Sequence, residues 1–256
     1  VLTRFGLAMW LLMVPAAIAL GLDDRELRGV AIWAKPLKFL ASVGLFALST
    51  AWFFGLLPEA ARRKPAARAV VWTIVAMGGL EIAYIGLQAA LGQPSHYHVA
   101  DPLHAALYGL MGAGALLLTT TQPLLAWQIA RDGVPGLDPV WRRAVLLGLT
   151  LTFVLGAGAG MVLGGMQPPA GIGLPVAGWH LAGDLRPAHF VGIHAQQALP
   201  LAGAWLAAWV AATARRGLGT GAADRASRQA LRAVAALATA WSLLWVALMA
   251  LGLAGR

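Results

Sequence analysis

Seven apolar stretches, each close to the roughly 20 residues that a helix needs to cross a bilayer, run through this chain of 256 residues. They lie at about 4–21, 36–57, 69–91, 104–129, 143–166, 188–212 and 232–254. In hydrocarbon, backbone N–H and C=O groups must be satisfied within the segment itself, so apolar runs of this length are read as helices. Only the third carries a charge near its centre, Glu81. The connectors are too short for a separate soluble domain. Residues 1–256 are therefore read as one all-α transmembrane bundle of about seven spans. A chain with 59% apolar and 11% charged residues takes the lipid bilayer as its solvent. The absence of cysteine excludes disulfides, thiolate metal sites and iron–sulfur clusters.

A formal charge of +9 would suit nucleic acid if it were clustered on one surface, but here the basic residues flank the apolar runs. Of the 19 basic residues, one side carries Arg4, Arg62, Arg63, Lys64, Arg68, Arg131, Arg142, Arg143, Arg215, Arg216, Arg225, Arg228 and Arg232. The other carries Arg25, Arg28, Lys35, Lys38, Arg186 and Arg256. The positive-inside rule then places the N-terminus in the cytoplasm and the C-terminus outside, with no nucleic-acid partner. The abundance of arginine, alanine and leucine fits a bacterial inner-membrane protein. The first run, with Arg4 ahead of it and Ala17-Ile18-Ala19 near its end, shares features with a signal peptide. It is read as a retained span.

With that orientation all six histidines, His96, His98, His104, His180, His189 and His194, fall on the outer side. Glu81, Tyr84 and Gln88 share one helical face that climbs toward them, and an intramembrane carboxylate normally faces the bundle interior. Lys35 and Lys38 open the second span on the same side. Lys38 is placed either at the surface or against a carboxylate such as Glu81 or Asp184. Asp184 and Arg186 are expected to brace the fifth connector. His189 and His194 lie about 140° apart around a straight helix, so they share a ligand only at a bend or with help from other helices. Their five-residue spacing also removes an HxxxH zinc pair, and no GxSxG serine motif occurs. His98 and His180 are read as exposed loop residues, and Asp101 with His104 as a helix-entry pair.

Three readings fit the cluster. In the leading one His96, His189 and His194 ligate a haem b iron or a divalent metal for redox or quinone-linked chemistry. Glu81 then serves as proton carrier, and Lys35, Lys38, Tyr84, Gln88, Asp184, Arg186 and Gln197 support the site. The methionines do not cluster with the histidines, which disfavours a soft copper(I) site. In the second, the same groups line a proton-coupled transport path, although no broken span or internal repeat is evident in the sequence. In the third they only tie loops and helix ends, as in a non-catalytic subunit of a larger complex. Gly156, Gly160 and Gly164 form a smooth stripe on the fifth span. It serves either contact within the chain or association with a second copy or a membrane complex.

Three stretches carry a resemblance. They are Lys35-Pro36-Leu37-Lys38-Phe39, Ser95-His96-Tyr97, and Gly183-Asp184-Leu185-Arg186-Pro187-Ala188-His189-Phe190-Val191-Gly192-Ile193-His194-Ala195-Gln196-Gln197. The chain resembles, from its second span through its sixth, a family of bacterial multi-pass membrane proteins without an established activity. The resemblance implies a multi-span fold and draws attention to Lys35, Lys38, His96, Asp184, Arg186, His189 and His194.

Overall fold

The computed structural model describes residues 1–171, 173–174, 178–216 and 220–254; Arg256, counted above with the outer-side charges, lies outside them. Among the described residues seven helices are long and apolar enough to cross a membrane. They are α1 (Leu2–Leu22), α2 (Ala34–Phe54), α4 (Pro65–Ala90), α5 (Pro102–Asp132), a fifth span over Pro139–Gly164, α9 (Ala195–Arg215) and α10 (Thr220–Leu253). A one-turn helix α3 (Glu59–Arg62) joins α2 to α4, and a short helix α8 (Arg186–Ile193) leads into α9. The protein is an all-α bundle of seven membrane-length helices. An odd number of crossings puts the ends of the chain on opposite faces, called here the near face (N-terminal) and the far face.

Helix starts follow simple chemistry. α4, α5 and the fifth span each begin with a proline, whose missing N–H falls where no intrahelical partner exists. Asp101 caps α5 by accepting from the backbone of His104 at 3.0 Å. Asp138 caps the fifth span by accepting from Val140 and Trp141, both at 2.9 Å.

Two spans depart from the straight helices expected. The fifth runs as α6 (Pro139–Leu151), a π-helical stretch Thr152–Ala157, and α7 (Gly158–Gly164). The sixth, expected as one helix over 188–212, is interrupted at His194, which ends α8 and opens α9. Pro200, within the second turn of α9, leaves the Gln196 carbonyl without its usual helical donor. The groups freed at the break find side-chain partners. Gln196 N–H donates to Thr152 Oγ1 at 2.9 Å, and Trp241 Nε1 donates to the Val191 carbonyl at 2.9 Å. A broken span is therefore present after all, and it rests against the π-helical stretch.

Lipid provides no hydrophobic drive between helices, so close packing rests on small residues. A Cβ on Gly44 of α2 would stand 2.4 Å from Trp10 of α1, and one on Gly203 of α9 would stand 2.2 Å from Ala144 of α6. The glycine stripe is used within the chain. A Cβ on Gly156 would meet Ile193, one on Gly160 would meet His189, and one on Gly164 would come within 4.0 Å of the Tyr108 hydroxyl. The chain's own α8 and α5 contact this stripe, and Gly164 at its end stays exposed.

The largest apolar cluster lies in the near half of the bundle. Phe53, Leu57, Ile74, Leu125, Ile129 and Leu149 are fully buried there, drawn from four spans. The far face is closed by connectors. A two-strand hairpin, β1 (Glu26–Leu27) and β2 (Val30–Ala31), turns through Arg28 and Gly29, both at positive φ as a tight hairpin turn requires. Arg25 reaches the Ala90 carbonyl at 3.2 Å and Arg28 the Pro168 carbonyl at 2.8 Å, which ties this hairpin to the end of α4 and to the fifth connector.

Candidate functional site

The connector from α4 to α5 is held down by tyrosine. Tyr97 donates to the Leu163 carbonyl at 2.6 Å and Tyr108 to the Gly164 carbonyl at 2.7 Å, anchoring the loop on the end of α7. The chain on either side of Tyr97, itself at φ 59°, then presents His96 inward and His98 toward the start of α5.

His96 sits between Phe39 of α2 and Tyr108 of α5, with ring centroids at 5.6 and 5.8 Å. Burial, reinforced by the neighbouring Lys35 charge, holds it far below the ordinary histidine range, at about 3, so its ring is neutral. Lys35 of α2 also lies within electrostatic reach of Glu81 of α4, without a direct ion pair among the described residues. Along α4, Gln88 Nε2 donates to the Tyr84 hydroxyl at 2.8 Å, which puts the stripe above Glu81 in register. Lys38 is exposed, with its ammonium close to Gly178 and in the field of Arg186.

The fifth connector is built around Asp184, which is fully buried. Its carboxylate accepts from the backbone of His180 and Arg186, both at 2.9 Å, and from the Arg186 guanidinium at 2.6 and 2.9 Å. Burial pushes this carboxyl up, but the guanidinium and the two N–H groups outweigh it and leave it below the usual carboxylate range.

His189 and His194 are held in separate hydrogen bonds. His189 Nδ1 donates to the Gly156 carbonyl at 3.0 Å, inside the π-helical stretch. His194 Nδ1 donates to Gln197 Oε1 at 3.1 Å, and Gln197 Nε2 donates to Ser49 of α2 at 3.0 Å. Each ring keeps its Nε2 lone pair when neutral. His96, His189 and His194 do not form a group of converging ligand atoms.

Another trio does. Among the described residues, only His98, Asp101 and His104 place three metal-competent side chains together, with ligand atoms all within 4.8 Å of one another. The His98 and His104 rings stack at 3.8 Å, and His104 Nδ1 donates to Asp101 Oδ2 at 2.6 Å. The His104 backbone N–H and ring hold the Asp101 carboxyl below its ordinary value. His98 is only partly exposed, and its Nδ1 is buried without a hydrogen-bond partner, which corrects the reading of this residue as an exposed loop position. The sequence signal was the spacing His98-x-x-Asp101-x-x-His104. Helical periodicity covers only its second half, because His98 precedes the helix, and the left-handed backbone at Tyr97 brings it back.

This donor set fits a borderline divalent metal: two imidazoles and one carboxylate, with no thiolate or thioether. It does not fit haem, since rings stacked at 3.8 Å leave no room for a macrocycle between them. The 2.6 Å bond between Asp101 and His104 holds the imidazole beside the carboxylate. No family model, curated protein or solved structure matches this chain.

Proposed function

We propose that this chain is an inner-membrane metal-binding protein of bacteria, whose ion is taken at His98, Asp101 and His104 on the outer face. The orientation follows the positive-inside reading, with the near face in the cytoplasm. The observation that carries the proposal is the buried, unpartnered Nδ1 of His98 beside a carboxylate-oriented second imidazole. A polar ring atom is rarely left unsatisfied in a folded interior, and a cation supplies the missing partner. Two imidazoles and a carboxylate suit zinc or iron, and three protein ligands leave a coordination position open. A bound ion would supply Lewis acidity or, if iron, one-electron chemistry. The chain's own residues hold it: Asp101 fixes the His104 ring, and Tyr97 and Tyr108 pin the loop that carries His98.

Metal analysis of purified protein, alongside His98→Ala and His104→Ala, tests this. About one zinc or iron per chain is expected in the parent and none in either variant, with no Soret band. Equal metal content in all three, or none after incubation with zinc and iron salts, would sink the proposal.

A second reading, proton-coupled transport, is favoured by one observation: the break at His194 lies against the π-helical stretch, and discontinuous helices are where transporters build their sites. Under it Glu81 carries the proton, and Glu81→Gln abolishes proton flux into liposomes. Unchanged flux removes the reading.

A further inference from the structure

A polar seam crosses the bundle from Gln197, the partner of His194. From the break in the sixth span, Gln197 donates to Ser49 of α2 at 3.0 Å. At the next residue, Thr50 accepts from Gln122 Nε2 of α5 at 3.4 Å, and Gln122 also donates to Thr121 at 3.0 Å. From the same break, Gln196 N–H reaches Thr152 of the fifth span. Four spans therefore contribute neutral amides and hydroxyls to one connected arrangement.

Its accounting is incomplete. Gln122, Gln128 and Gln196 are 0%, 4% and 1% exposed. Yet Gln122 Oε1, Gln196 Oε1 and Gln128 Nε2 are buried without a partner. Gln128, six residues along α5 from Gln122, is turned about 240° round the helix from it and so lies off the seam. A dry amide oxygen in a lipid-embedded interior is among the most costly groups a protein can leave there. Buried water commonly completes such sites, provided two to four polar groups surround it, and the seam's hydroxyl oxygens supply the others. No carboxylate belongs to the seam, and the one ionisable group bonded to it is His194, on Gln197, so a neutral hydrogen-bonding occupant suits it better than a cation.

We propose that Gln196 and Gln122, with Ser49, Thr50 and Thr152, form a hydrated track across the bundle centre, occupied by ordered water molecules. The track is independent of the outer metal site. It gives the break at His194 a physical support, since water can take over backbone groups that a broken helix releases.

Water-edited solid-state NMR of the full chain in lipid bilayers tests this directly. Magnetisation should pass from water to the side-chain amides of Gln122 and Gln196, and not to the backbone amides of Val70 and Ile74 in the apolar half. Absence of transfer to the two glutamines overturns the track. A second arm uses Gln196→Met, which removes the unpartnered oxygen at similar length. If water satisfies that oxygen, the variant loses about 2–4 °C in Tm. If the oxygen is dry, removing it leaves Tm unchanged or raises it, and the proposal fails.

Discussion

The two halves of this bundle are made from the same apolar spans and solve different problems. The near half closes on Phe53, Leu57, Ile74, Leu125 and Leu149, none of which needs a particular partner. Its charges stay at the rim: Lys64 pairs with Asp132 at 2.8 Å, and Arg62 and Arg142 donate to carbonyls at helix ends. The far half brings charged and polar groups inward: Lys35 toward Glu81, Arg186 onto a fully buried Asp184, and His98 onto His104. Near-face charges are free to act as the orientation signals that the positive-inside rule describes. Far-face charges depend on one another, so losing one strands another.

That contrast can be broken most forcefully at Asp184. Asp184→Asn leaves Arg186 without its counter-charge, and breaking a buried pair in this way costs about 3–5 kcal/mol. A drop in Tm in mild detergent measures it. Because the folded carboxyl lies below the ordinary 3.8, its stabilisation is full above about pH 4 and fades as pH falls through the folded value. Acid unfolding of the parent should therefore be steeper below pH 4 than that of the variant.

Helix contacts come next. A Cβ at Gly192 would lie 2.6 Å from the Gly156 backbone nitrogen, which cannot move aside as a side-chain tip can. Gly192→Ala should cost about 1–3 kcal/mol, whereas Gly79→Ala, with nothing within 4 Å, should leave Tm unchanged. Equal effects would show that α8 does not pack on the π-helical stretch.

At the outer trio, Asp101→Asn keeps the shape but weakens the grip on the His104 ring, and zinc affinity should fall about 10- to 100-fold. Zinc titration by calorimetry reads this, and an unchanged affinity would remove Asp101 from the site. On the near face, Asp138→Ala removes a helix cap worth about 1 kcal/mol. Lys64→Ala should leave Tm within error, because its ion pair with Asp132 is solvent-exposed. A large loss at Lys64 would erase the distinction between the faces.

The architecture was legible because the constraint that produces it is one-dimensional. A run of apolar residues long enough to cross hydrocarbon must be helical, so span number followed from reading along the chain. Some features of the site were legible for the same reason. The Glu81, Tyr84 and Gln88 stripe and the Asp101–His104 pair are spaced for helical neighbours. The breaks were not. Nothing local marks Thr152 as the π-helical start, and the backbone groups released at His194 are met by Thr152 and Trp241 from other helices.

The sequence by itself therefore determined the solvent, the helix count and the sorting of charge between faces, since these depend on composition and spacing within single segments. Only the tertiary structure decided which polar groups meet. It set the glycine stripe against α8, held His189 and His194 in separate hydrogen bonds, and folded His98 back onto His104 through the left-handed turn at Tyr97. The physical reason is that a ligand set is a coincidence of positions from different segments. Hydrophobic periodicity sets which face of a helix turns inward, but not what stands opposite it.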